Sequence, residues 1–268
     1  MNILDRIARS GVILMAWAGL VFLTMPLLII IATSFTETQF LAFPPVGFTF
    51  KWYGEFLRDT SYLESIWTSV AIAALATVLA ISIGILAALV VSRSEIRGKR
   101  IISTVFIAPL ILPTIVIGAA LLQYANALGF ARSFFALVIG HTVIVVPYVL
   151  RTVLASLERF DRSLEEASHD LGATSVSTFF LITLPIIKPG VVAGALFAFI
   201  ISWINVELSI FNATAEVMPI PVKLFNYVQY AVDPMLAAVS ATTIYVAIIA
   251  VIILDVFVGL DRVAASQK

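Results

Sequence analysis

The stretch EEASHDLGATSVSTFFLITLPIIKPG, from Glu165 to Gly190, begins with acidic and small residues and ends in an apolar run punctuated by Pro185 and Pro189. Its local chemistry spells two short helices. Ser163 followed three residues later by Glu166 has the spacing of a capping box, in which hydroxyl and carboxylate each take one unpaired backbone donor. Glu165, Glu166 and Asp170 favour a helix here, the first two near its positive end. Gly172 suits the left-handed residue that ends such a helix. Ser175 is placed to cap a second helix, and Pro185 to close it. Leu164, Ala167, Ser168 and Leu171 fall at i, i+3, i+4 and i+7, which gives the first helix one small, mildly apolar face. Held on a proline-ended strut, that helix looks built to enter another protein's groove.

Nearly everything around this segment is apolar. The 268 residues are 61% hydrophobic and 12% charged, against about 45–50% and 25% in soluble domains. The composition therefore indicates an integral membrane protein. Acidic and basic residues balance at sixteen each, so neither a nucleic-acid surface nor a charged tail is expected. The chain has no cysteine, which excludes disulfides and thiolate chemistry.

A spanning helix needs about 20 mostly apolar residues. Six such stretches occur, near 11–33, 66–92, 101–125, 134–155, 190–212 and 236–259. None alternates with period two, so helices are expected and a barrel is not. The first follows Arg6 and Arg9 but is too long for a signal segment, and reads as an uncleaved anchor. With the N-terminus inside, twelve Lys and Arg fall on inner segments: Arg6, Arg9, Arg93, Arg97, Lys99, Arg100, Arg151, Arg159, Arg162, Lys188, Arg262 and Lys268. Four fall outside: Lys51, Arg58, Arg132 and Lys223. This asymmetry puts both termini, and the segment from about 156 to 189, in the cytoplasm. The whole chain, 1–268, reads as one transmembrane domain.

Permease subunits of binding-protein-dependent ABC importers carry a cytoplasmic pattern of Glu-Ala-Ala, three residues, Gly, nine residues and Ile-x-Leu-Pro. This chain has Glu166, Ala167, Ser168, three residues, Gly172, nine residues, then Ile182, Thr183, Leu184 and Pro185. It departs only at Ser168, one small residue for another. A capping box and a glycine cap would explain Glu166 and Gly172 alone, but not the nine-residue gap and the closing Leu-Pro. The resemblance covers essentially the whole chain. It implies the all-α, six-helix fold of type I importer permeases, with a coupling helix that passes ATPase closure to the membrane helices. Glu165, Glu166, Ala167, Ser168, Asp170, Leu171, Gly172 and Pro185 are the residues expected to couple. It further implies two ABC ATPase subunits holding ATP and Mg2+, a second permease that is either a similar but non-identical chain or another copy of this one, a periplasmic binding protein, and the bacterial inner membrane. The chain carries no G-x-x-x-x-G-K-[ST] motif, Gly98-Lys99 lacking the upstream glycine, so it is not expected to hydrolyse ATP. No cofactor, metal cluster or catalytic constellation is expected within it.

Ionisable and polar groups inside a membrane call for a function. In the fifth stretch Ser202, Asn205, Ser209 and Asn212 are spaced 3, 4 and 3, one stripe of a helix. Glu207 is about 200° around that helix from Asn205, so both face one path only if the helix is broken between them. These residues, with Gln123 and His141, are the candidates for a translocation path. For His141 a hydrogen-bonded packing role is favoured, for Asp255 pairing near the headgroups, and Gln123 and Asn126 sit towards the outer end of the third stretch. Pro109, Pro113 and Pro147 suit kinked helices. Externally, FPPVGFTFKWYGEFL (43–57) groups Trp52, Tyr53 and Phe56 into an interfacial aromatic belt or, alternatively, a docking surface.

Within the importers, the external run and the coupling segment most resemble the spermidine/putrescine class, a group that also handles opines, phosphonates, thiamine and iron. Relatives carry an acidic run in the fifth helix. Here SWINVELSIF (202–211) has Asn205 at an expected acid. The expected cargo is a small polar solute, such as a polyamine-like amine, an opine or a phosphonate. The alternative is an ion-coupled secondary transporter using Glu207, His141 and Asp255 as a proton relay, and a third reading is a non-transporting scaffold.

Overall fold

A computed structural model describes residues 3–258, with side chains described from 9 to 253. Arg6, Asp255, Arg262 and Lys268 therefore lie outside the described side chains. The chain order is α1 (Ile3–Thr33), α2 (Lys51–Arg58), α3 (Thr60–Arg93), α4 (Lys99–Ile107), α5 (Thr114–Ala127), α6 (Phe134–Leu157), α7 (Ser163–Asp170), α8 (Ser175–Thr178), α9 (Leu184–Ile204), α10 (Ser209–Asn212), α11 (Ile220–Val228) and α12 (Pro234–Val258). Among the described residues five helical runs are long and apolar enough to cross a membrane. Lys99–Leu110 and Thr114–Ala127 reach that length only together, and they are bent through 105°, so they make a sixth span only where the pair is counted as one.

That bend corrects the third expected span. A single helix over 101–125 is not formed. Pro109 and Pro113 each remove a donor, and the chain answers with a short 3-10 turn, Ala108–Leu110, then an extended Pro113 at ψ 130° before α5. Pro147 and Pro189, by contrast, lie inside continuous helices.

The fifth expected span is displaced too. The membrane-length run is Ser175–Ile204 rather than 190–212. Pro185 does not close a helix. It sits at the start of α9, after a π-helical turn, Phe179–Thr183, in which Leu184 N–H reaches Phe179 O. The wider register of that turn absorbs the donor that proline lacks. At its other end α9 stops at Asn205, whose ψ of 110° is extended.

The chain forms two compact units. In the first, residues 1–63 and 226–246, Trp52 Nε1 donates to Thr36 O at 2.8 Å, and Ser34 Oγ shares a hydrogen bond of 2.7 Å with the Tyr53 hydroxyl. Phe35 stacks on Phe48, and Phe56 meets the edge of Tyr62. Trp52 and Phe56 are buried, so they are not a belt lying on lipid. Burial, despite the Ser34 bond, pushes the Tyr53 hydroxyl up to about 12.

In the second unit, residues 64–225 with the rest of α12, the core is the α6–α9 pair. Ser133 caps α6, its hydroxyl accepting from Ala136 N at 3.1 Å. Gly190 and Gly194, four residues apart, let α9 approach α6 closely. A β-carbon on Gly190 would lie 2.2 Å from Ser156 Oγ and 2.5 Å from Thr152 O. Small residues at this spacing are how membrane helices bring backbones together without a hydrophobic driving force.

Candidate functional site

The α6–α9 connection folds as a hairpin of two short helices. The expected capping box at Ser163 is not made. Asp161 Oδ1 instead accepts from Ser163 N at 3.0 Å, and this bond holds the Asp161 carboxyl below its ordinary range. Similarly, Thr174, not Ser175, caps α8 by accepting from Ser177 N at 3.2 Å. Thr174 has the extended backbone that a cap needs, and before α7 the Glu166 amide bonds the Arg162 carbonyl instead of a capping hydroxyl.

Gly172 is as expected, at φ +85°. Around it Ala173 N–H reaches Ser168 O at 3.0 Å and Gly172 N–H reaches His169 O at 2.9 Å, the paired bonds of a Schellman closure. This sharp stop leaves Leu171 89% exposed at the hairpin tip, beside exposed Glu166, Ala167 and Asp170. Ser168 turns inward and bonds the buried Thr178 hydroxyl at 3.0 Å. Its hydroxyl thus gives the serine-for-alanine departure a local use, joining α7 to α8. Glu165 also turns inward. Its Oε1 lies 2.6 Å from Arg93 Nη2 and accepts from Thr183 Oγ1. Pro185 stands behind, at the start of α9.

The second group of candidates lies where α9 breaks. His141, on α6 and 2% exposed, holds Ser202 Oγ with Nδ1 at 2.7 Å and Ser209 Oγ with Nε2 at 2.8 Å. It therefore ties α9 to α10 across the break. Both ring nitrogens are occupied, and the cleft beside them, lined by Ser69, Trp203 and Pro219, leaves no room for a water molecule. Asn205 turns the chain: its Oδ1 accepts from Leu208 N at 2.9 Å and its carbonyl from Ser209 Oγ at 2.9 Å.

The expected stripe of Ser202, Asn205, Ser209 and Asn212 on one helix is accordingly not formed, because Asn205 is extended. Ser202 and Ser209 converge on His141. Asn212 is buried elsewhere, accepting from Arg132 N at 3.3 Å. The break also frees Glu207, which is exposed and accepts a hydrogen bond from Thr114 Oγ1 at the first turn of α5. The start of α5, directly after Pro113, and the irregular segment after Ile204 thus meet. Gly118 allows this contact, since a β-carbon there would lie 2.9 Å from Leu208 Cα. Gln123 is exposed on a later turn of α5.

Sequence reasoning missed Arg93, Thr183 and Thr114 as partners. Nothing in the sequence pairs positions 93, 165 and 183. Among the described residues no group of His, Asp or Glu has metal-binding geometry.

An all-helical membrane protein with this hairpin between two close-packed spanning helices has the architecture of an importer permease, and comparison with known proteins agrees. The chain belongs to the family described as binding-protein-dependent transport system inner membrane component, which matches residues 80–262. It is a multi-pass permease subunit of an ABC importer that works with a binding protein. That displaces the secondary-carrier and scaffold readings. The chain is 32% identical over 247 residues to the putrescine transport system permease protein PotI of Escherichia coli (strain K12), covering 90% of this chain and 88% of that one. It is 30% identical over 232 residues to the spermidine/putrescine transport system permease protein PotC of Haemophilus influenzae, covering 87% and 90%. In fold it resembles a chain of a bacterial ABC transporter involved in the import of the acidic polysaccharide alginate, at TM-score 0.76 and 18% identity, covering 95% and 98%.

Proposed function

We propose that this permease carries a small cationic amine of the polyamine type across the bacterial inner membrane, with both termini and α7 on the cytoplasmic side. A periplasmic binding protein delivers the amine. A second, non-identical permease completes the path, and two ABC ATPase subunits, holding ATP and Mg2+, drive it. The α7 tip enters an ATPase groove through Glu166, Ala167, Asp170 and Leu171, with Gly172 setting its angle. Glu207 belongs to the path side, and the break that presents it is held by Asn205, His141, Ser202 and Ser209; Gln123 and Asn212, which lie elsewhere, are the remaining path candidates.

The observation that carries this reading is the exposed Glu207 carboxylate at the meeting of two interrupted spans. A charge facing lipid at mid-bilayer costs roughly 2.5–3.5 kcal/mol, whereas one facing a water-filled path meets cationic cargo favourably. The polyamine transport stated in the names of both permease relatives is consistent with it.

The test is uptake of labelled putrescine into vesicles holding the full assembly, with and without ATP and binding protein. ATP-dependent uptake is expected. Uptake driven by an ion gradient without ATP would overturn the proposal. Gly172→Val forces a branched residue into a left-handed position at about 1–2 kcal/mol. Assembly should survive this change while ATP-driven uptake falls, and normal uptake would remove Gly172 from the coupling surface. The chain has no cysteine, so a single Ala167→Cys reports sidedness by thiol labelling from the inside only.

A further inference from the structure

Two adjacent glutamates in α7 face different ways. Glu166 is exposed, whereas the Glu165 side chain is 14% exposed and directed at the membrane helices. One oxygen, Glu165 Oε1, serves two partners from distant parts of the chain: Arg93, the last residue of α3, and Thr183, the last residue of the π turn before α9. Thr183 is fully buried. A helical threonine ordinarily returns its hydroxyl to a carbonyl one turn back, but this one donates outward to the carboxylate.

The end of α3 is gripped twice by this loop. Arg162 Nη2 donates to Ser92 O at 2.6 Å, and the Arg93 guanidinium lies over the Phe160 ring at 5.5 Å while pairing with Glu165. The π turn is also gripped from both sides. Ser168 bonds Thr178 immediately before it, and Glu165 bonds Thr183 at its end. Any displacement of α7 must therefore carry both flanks of the π turn together or change the turn itself. A π turn is a strained insertion in an α-helix, often found where a helix works, and this one stands at the base of the long helix whose other end breaks near Glu207.

We propose that Glu165 is a positioning residue that transmits movement of α7 to the membrane helices, acting on α3 through Arg93 and on α9 through Thr183. This rests on the docking of α7 into an ATPase subunit proposed above. Within α7 the labour is divided. Glu166 and Leu171 face the ATPase, and Glu165 faces the permease's own spans.

The test uses the complete assembly in vesicles and reads ATP hydrolysis per assembled complex with and without binding protein, a signal that must cross the same joint whatever the cargo. In Glu165→Gln and in Arg93→Gln, stimulation by binding protein should fall about tenfold, within the usual range of coupling between sites. The exchange Glu165→Arg with Arg93→Glu restores the pair and should recover stimulation to within about threefold of the unaltered chain. Thr183→Val keeps both charges and should lower stimulation by a smaller factor. It gives the same readout if a charge variant does not assemble. A purely structural staple would lower the yield of complex but leave stimulation per complex unchanged. That result, or an exchange pair no better than either single change, overturns the proposal. Failure of any ATPase subunit to assemble with the unaltered chain would instead overturn the docking reading on which it rests.

Discussion

The two ends of α9 are interrupted in opposite ways. At its beginning the chain contains Pro185 and Pro189, the residues most hostile to a helix, and yet runs on from Ser175 to Ile204. At its end there is no proline or glycine between Ile204 and Ser209, and yet the helix breaks. The difference lies in where the backbone groups find partners. Around Pro185 a π turn lets Leu184 N–H reach Phe179 O, and the helix survives. At Asn205 the side chain and carbonyl of the asparagine take the bonds that the next turn would have made, and His141 clamps both sides of the gap. In a membrane, where water does not satisfy a stray carbonyl, irregular backbone persists only where protein groups replace the missing bonds.

The most damaging way to break this contrast is to displace the helix body between its two ends. Gly190→Val would place a branched side chain against Ser156 and the Thr152 carbonyl and should cost about 3 kcal/mol by overpacking. Thermal unfolding of the detergent-purified chain should show it as a lowered midpoint.

Next comes the clamp. His141→Leu leaves the Ser202 and Ser209 hydroxyls buried with one partner fewer, a loss of about 2 kcal/mol. Adding Ser202→Ala and Ser209→Ala should return part of that stability, because no buried polar group is then stranded. A triple variant less stable than the single one would show that the serines contribute through something other than the histidine.

Asn205→Ala removes the acceptor for Leu208 N–H and should cost about 1 kcal/mol, as helix-cap losses do. Faster thiol labelling of a cysteine placed at Ile204 would report the loosened end. The smallest effect is expected at the other end. Pro185→Ala restores a donor where the π turn already accommodates its absence, so stability should change by no more than about 0.5 kcal/mol. A large loss there would mean that the proline, rather than the turn, sets the direction of α9.

The legibility of these features follows from the range of the interactions behind them. Gly172 could be read from the sequence because a left-handed stop is set by one residue and the three or four before it, and the closure is found at Ser168, His169 and Ala173. Caps were harder. Ser163 and Ser175 have suitable hydroxyls, but the Glu166 amide bonds the Arg162 carbonyl, Asp161 takes the Ser163 amide, and Thr174 takes the Ser177 amide. The Ser202–Asn212 stripe assumed an unbroken helix, whereas Asn205 takes the bonds of the next turn itself and His141 on α6 holds both sides of the gap. Trp52 and Phe56 looked interfacial because aromatic clusters often are, and burial inside their own unit was not visible in the sequence.

By itself the sequence determined that the chain lives in a membrane and where its apolar stretches lie, because hydropathy acts over one helix or less. The tertiary structure decided which prolines bend the chain and which do not. It also decided that Glu165 faces inward while Glu166 faces out, and that His141 closes a gap in a helix 61 residues further along the chain. The last two depend on a donor or acceptor supplied by another helix, and the spacing of residues along one helix does not encode that.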